Sequence, residues 1–140
     1  MAVKIVRQGN RGVIRRLEMA SKVVEQIVIE EIESTVVDIY DLATADVRVD
    51  NGILKSSINQ ESKGLRGEVY VRAHYAAYVE FGTGGLVDVP SGLEDYAMLF
   101  KGAGVRQVNL PARPFLFNNA RQQSKIFVDR VRRRTKKYLQ

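Results

Sequence analysis

Few residues of this chain have the type and spacing to do chemistry. Glu80 lies between Val79 and Phe81, a short distance after His74, the single histidine. A carboxylate and an imidazole can share a proton in general acid–base catalysis. Nothing else in the sequence supplies a nucleophile for the pair to activate. A structural, hydrogen-bonding Glu and an ordinary, partly buried His are the simpler reading. Gly82-Thr83-Gly84-Gly85 has the look of a phosphate-cradling loop. No Gly-Lys-Ser/Thr follows it and no helix is expected to open from it, so a plain turn accounts for it better. The absence of cysteine excludes a disulfide scaffold and a thiolate zinc site. One histidine cannot make a two-histidine metal motif. The sequence is therefore expected to carry no catalytic residues, metal ligands or cofactor site.

The third chemical feature is charge. Residues 1–120 hold 14 Lys/Arg against 15 Asp/Glu, whereas residues 121–140 hold eight basic residues against Asp129 alone. Within that tail Arg130, Arg132, Arg133, Arg134, Lys136 and Lys137 crowd into eight positions. Such a cluster can attract nucleic-acid phosphates without reading sequence. It lacks the interleaved aromatics of a base-stacking surface, and a solvated basic face or a dock for an acidic partner fits it as well. Either way the tail is expected to be dispensable for folding, so that removing residues 130–140 leaves the fold intact.

The elements that must position these residues are those of one domain of 140 residues, with 45% apolar and 27% charged residues. No stretch approaches the roughly 20 apolar residues of a membrane span. Residues 1–7 lack the apolar run of a secretory signal, which argues against export by that route and against a membrane partner. Residues 1–16, with Arg7, Arg11, Arg15 and Arg16, read as a basic N-terminal arm. Residues 17–140 read as a single α+β domain.

Leu17, Ala20, Val24, Ile27, Val28, Ile32, Val36, Ile39 and Ala43 recur at steps of three and four, which predicts a long helix over 17–43. Val23, Ile29 and Val37 fall outside that stripe. They either widen the core face or serve a neighbouring subunit. Val47 and Val49 flank Arg48 as in a short strand, and Asp50-Asn51-Gly52 signals a turn. Leu54 and Ile58 suit one or two helical turns, Ser62 to Gly67 a loop, and Glu68 to Ala73 a strand. His74 to Phe81 fits helix or strand. Residues 82–114 hold six of the eleven glycines and all three prolines, Pro90, Pro111 and Pro114. They predict a long loop excursion with a short helical piece near Leu93–Phe100. Loops of that length are often functional.

A second helix is expected over about 115–138, with Pro114 at its first position. Leu116, Ala120, Phe127, Val131 and Tyr138 would form its apolar stripe. The predicted architecture is thus α+β, with a long N-terminal and a C-terminal helix packed on a small antiparallel sheet. The aromatics Tyr75, Tyr78, Phe81, Phe115, Phe117 and Phe127 are either core or interface anchors.

Three segments in order carry a family resemblance. They are Gly52-Ile53-Leu54-Lys55-Ser56-Ser57-Ile58, Tyr75-Ala76-Ala77-Tyr78-Val79-Glu80-Phe81-Gly82-Thr83, and Pro111-Ala112-Arg113-Pro114-Phe115-Leu116. With the long first helix they resemble the tail-component (neck or tail-completion) family of long-tailed bacteriophages, a group similar to the minor tail protein Z of phage lambda.

The resemblance implies a non-enzymatic virion protein at the head–tail junction, made in the host bacterial cytoplasm and needing no cofactor. It implies a homo-oligomeric ring, six- or twelve-fold, between the head connector or stopper and the tail terminator or tail-tube proteins, around packaged DNA held non-specifically. Tyr75, Tyr78, Glu80, Phe81, Gly82, Thr83, Pro114 and Phe115 are then the candidate subunit-interface residues. The six basic residues from Arg130 to Lys137 are candidates for channel or partner contact. Two further readings stand beside this one. One is a tail terminator that caps the tube. The other is a nucleic-acid-binding accessory protein with steeply salt-dependent affinity.

Overall fold

The computed structural model describes residues 11–48, 52–84, 87–99 and 109–140. Its elements run α1 (Arg11–Asp46), α2 (Gly52–Ser56), β1 (Ile58–Lys63), β2 (Arg66–Val71), α3 (Ala76–Phe81), α4 (Glu94–Met98) and α5 (Phe117–Leu139). This is the expected α+β arrangement of two long helices with a small antiparallel sheet.

Helix α1 has 36 residues and is about 54 Å long. It takes in residues 11–16, which the sequence assigns to the arm. No Pro occurs before Asp46 and no Gly beyond Gly12, so nothing stops the helix from running back to Arg11.

At its other end the strand expected around Val47 does not form. The Val47 N–H still bonds the Ala43 carbonyl at 3.3 Å. Both side chains are buried in one cluster, so helical spacing by four decides the geometry. Val49, Asp50 and Asn51 lie outside the described residues.

The hairpin corrects the next reading. Ile58–Lys63, of which only Ile58 is buried, is a strand paired antiparallel with Arg66–Val71, from Ile58↔Val71 to Lys63↔Arg66. Residues 62–67 are therefore strand ends and a two-residue turn at Gly64-Leu65, rather than a loop. The polar run Asn-Gln-Glu-Ser-Lys has no apolar alternation to read. Its ladder to β2 makes it a strand.

The hairpin lies against α1 with no room to spare at one point. A Cβ on Gly67 would come within 2.5 Å of Val36 Cγ2 and 2.8 Å of Ile32 Cγ2. Glycine here lets strand and helix touch.

The core cluster comprises Ala43, Val47, Leu54, Ile58 and Phe115, with Tyr40, Val69, Val71, Ala73, Tyr75, Val79 and Leu116 packed around it. Helix α5 runs antiparallel along the C-terminal two-thirds of α1: Asn119 meets Asp46, Arg130 meets Asp38, and Arg134 meets Glu30 and Glu31. Part of this seam is polar. Asn119 and Gln123 of α5 and Glu31 and Thr35 of α1 are buried, while Tyr138 of the expected apolar stripe is exposed. Leu17, at the start of the α1 stripe, is exposed as well, because α5 ends before reaching it.

Candidate functional site

The second and third motif segments meet at one carboxylate. Glu80 is buried in α3, and its Oε2 accepts the backbone N–H groups of Phe115 at 2.8 Å and Leu116 at 3.0 Å. Its Oε1 accepts the N–H of Phe117 at 2.9 Å. These N–H groups open α5 and have no carbonyl partner one turn earlier within the helix. A negative group at that position is also favoured by the helix dipole. Glu80 thus caps α5 from a distant part of the chain.

Pro114 is exposed and lies ahead of the helix. Leu116 is the N-cap residue and Phe117 the first helical one, so the expected start at Pro114 is corrected. The reason is that Glu80 holds the preceding backbone by its N–H groups, and proline has none to offer.

Backbone bonds close the rest of the junction. The Arg113 N–H donates to the Val79 carbonyl at 2.8 Å and the Thr83 N–H to the Leu110 carbonyl at 2.9 Å. The Leu110 N–H in turn donates to Thr83 Oγ1 at 2.9 Å. Both ends of the 82–114 excursion are therefore clamped side by side. Gly82 leaves α3 at φ 76° and ψ −174°, a region that essentially only glycine enters. Phe81 stacks on Phe117 with ring centroids 5.6 Å apart, and Tyr96 of α4 stands edge-on to both. The predicted helical piece near Leu93–Phe100 is α4, Glu94–Met98. Phe100, Gly85 and residues 101–108 lie outside the described residues.

Glu80, Phe81, Gly82 and Phe115 are buried within the protomer, and Tyr75 and Thr83 are half-buried. Tyr78, at 37% exposure, and Pro114 reach the surface.

No acid–base pair is assembled. Both oxygens of Glu80 are committed to backbone N–H groups, while His74 is exposed and packs edge-on against Tyr75 at 5.5 Å. The two residues border one cavity of about 180 Å³, lined mainly by Ala73, Ala76, Phe81, Phe115 and Leu116. Among the described residues no three His, Asp or Glu side chains gather as a metal site. Among the described residues no helix is long and apolar enough to cross a membrane.

The basic tail divides. Arg130 donates to Asp38 Oδ2 at 2.8 Å. Arg134 donates to Glu31 Oε1 at 2.9 Å and Glu30 Oε2 at 2.6 Å. The hydrogen bond from Arg134, helped by one from Gln26, holds the Glu30 carboxyl below its ordinary range, and Glu30, then Glu31, raises Arg134 in return. These two arginines tie α5 to α1. Removing residues 130–140, which the sequence suggests would leave the fold intact, would take away both ties.

Arg132 faces Asp129 one turn back at 3.7 Å, and the Arg133 Nε–H reaches the Asp129 carbonyl at 3.4 Å. Lys136 and Lys137 are exposed, with no ion pair among the described residues. Sequence reasoning missed the tying role, although a signal was present. Glu31 falls on the apolar stripe four residues after Ile27, where an acid needs a partner.

Fold and site together make an α+β module of two long helices, a hairpin and a clamped excursion, in which the buried carboxylate of Glu80 caps α5. Residues 11–82 match the HK97-gp10-like family, described as "Bacteriophage HK97-gp10, putative tail-component". The match spans half of the chain, and the chain belongs to this family of phage structural tail components. It covers α1 through α3 and ends at Gly82, before the third motif segment, and it does not extend to a specific likeness to lambda protein Z. Comparison with curated proteins and with solved structures returns no match.

Proposed function

We propose that the protein is a non-enzymatic neck or tail-completion component. In this reading it forms a closed ring of identical subunits, six or twelve, that joins the head connector to the tail around the DNA channel. Membership in a phage tail-component family supports the reading.

The observation that carries it is how little of the protomer's apolar surface is covered. Among the described residues eight hydrophobic side chains are buried, while seventeen large ones are exposed. Single exposed apolar residues are ordinary. Here seven of the seventeen gather at two extremities: Val13, Ile14, Leu17 and Met19 at one, Tyr96, Met98 and Leu99 at the other. Clustered apolar surface marks contact sites, and two different patches per subunit are what a head-to-tail ring uses. Tyr78 and Pro114 are the motif residues best exposed to join such contacts. Glu80, Phe81, Gly82 and Phe115 would act by shaping the protomer. Arg132, Arg133, Lys136 and Lys137 are the cations left to face DNA or an acidic partner ring.

Native mass measurement of the purified protein, alone and mixed with the neighbouring neck proteins, tests this. A closed oligomer that cross-links to both head connector and tail-tube proteins is expected. Cross-links to the tube protein alone would replace the neck reading with a tail terminator. A monomer with steeply salt-dependent DNA affinity would replace it with a nucleic-acid accessory role.

A further inference from the structure

Among the described residues the N-terminal third of α1 has no partner on another element. Arg134 stands opposite Glu30 and Glu31, and α5 ends five residues later at Leu139. Helix α1 therefore continues about 20 Å past the end of α5. On that overhang residues 11–19 are all exposed. Val13, Leu17, Ala20 and Val24 continue at helical spacing the face whose next members, Ile27 and Glu31, are buried. Leu17 is 65% exposed. The overhang is also basic, with Arg11, Arg15, Arg16 and Lys22 against Glu18 alone.

Helix α4 is its counterpart in charge. Glu94 and Asp95 sit beside Met98 and Leu99, and Leu99 is 77% exposed. Tyr96 anchors this helix against Phe117, at the opposite end of α5 from the overhang. The 23 residues of α5 separate the two ends by about 33 Å. The two patches thus cannot meet within one chain.

We infer that the α1 overhang of one subunit docks on α4 of the next copy, Val13 and Leu17 against Met98 and Leu99, with Arg16, which flanks that stripe, toward Glu94 and Asp95. This rests on the ring reading above and names its contact. Charge selects the occupant. Pairing two overhangs with each other would bring together two segments of net positive charge, whereas the overhang and α4 carry opposite signs. A contact between two different patches is head-to-tail and propagates until the ring closes.

The chain has no cysteine, so single cysteines report the contact cleanly. Leu17→Cys and Met98→Cys, each alone, should give no covalent dimer on mild oxidation, while their mixture should. Arg16→Glu should weaken assembly roughly tenfold at low salt, and adding Glu94→Lys with Asp95→Lys should restore it. If the cysteine mixture fails to cross-link while native mass still shows a closed oligomer, this pairing is wrong and the ring stands. Cross-linking by Leu17→Cys alone would replace it with a symmetric overhang contact. A protein that stays monomeric with all its neck neighbours would remove both the ring and the contact.

Discussion

The carboxylate of Glu80 holds the backbone N–H of Phe117 at 2.9 Å, across 37 positions of sequence. Through it the segment that ends α3 and the segment that opens α5 become one rigid junction, and the 82–114 excursion is forced to leave and return at the same place. The register of α5 on α1, and hence the pairing of its arginines, depends on where this junction starts the helix.

Removing the cap should be costly. Glu80→Ala leaves three backbone N–H groups without their acceptor, one of them fully buried, and should lower stability by about 2–5 kcal/mol. Glu80→Gln keeps one acceptor oxygen but no charge and should fall between. Urea unfolding of the three proteins checks the order. Equal stability of Glu80→Ala and the parent would contradict the capping role.

The close approach of hairpin and helix gives a second test. Gly67→Ala puts a methyl into Val36 and Ile32, two β-branched side chains with little freedom to move aside. A loss of about 1–3 kcal/mol is expected. Gly52→Ala meets nothing within 4 Å and serves as the control. Thermal unfolding should separate the two variants clearly.

Acid should loosen the α1–α5 seam. Glu30 titrates below its ordinary value of 4.5 in the folded chain because Arg134 hydrogen-bonds the ionised form. A carboxylate depressed by folding adds stability above its unfolded pKa and loses it as the pH falls through the folded one. Arg134 is raised and stays charged throughout that range. Stability should therefore decline as the pH falls from about 4.5, and Glu30→Gln should flatten this part of the profile. Denaturation midpoints measured across that range in both proteins decide the point.

The divided tail predicts two phenotypes where its composition alone suggests one. Arg130→Ala with Arg134→Ala should weaken the contact of α5 with α1, seen as faster amide exchange in the last turns of α5. Arg132→Glu, Arg133→Glu, Lys136→Glu and Lys137→Glu together should leave folding nearly unchanged and reduce DNA retention or joining in assembled particles. Unchanged particle yield from the second set would remove these four residues from any channel or partner role.

The sequence by itself determined the fold class, the long helix, the short α4, the C-terminal helix and the family resemblance. Each is written in local terms: apolar residues every three or four positions, glycines and prolines gathered in one stretch, motif residues adjacent in the chain. It also showed that no cysteine or second histidine was available for chemistry.

Tertiary structure alone decided the rest. Ile58–Lys63 became a strand through its ladder to β2, since its own side chains carry no period. Val47 was kept on the helical stripe by burial beside Ala43. The role of Glu80 as a cap, and of Arg130 and Arg134 as ties, depends on partners up to 104 positions away. No local pattern encodes such distances. A buried acceptor is satisfied by whichever donor the packing brings to it, and that choice is made only when the whole chain has closed.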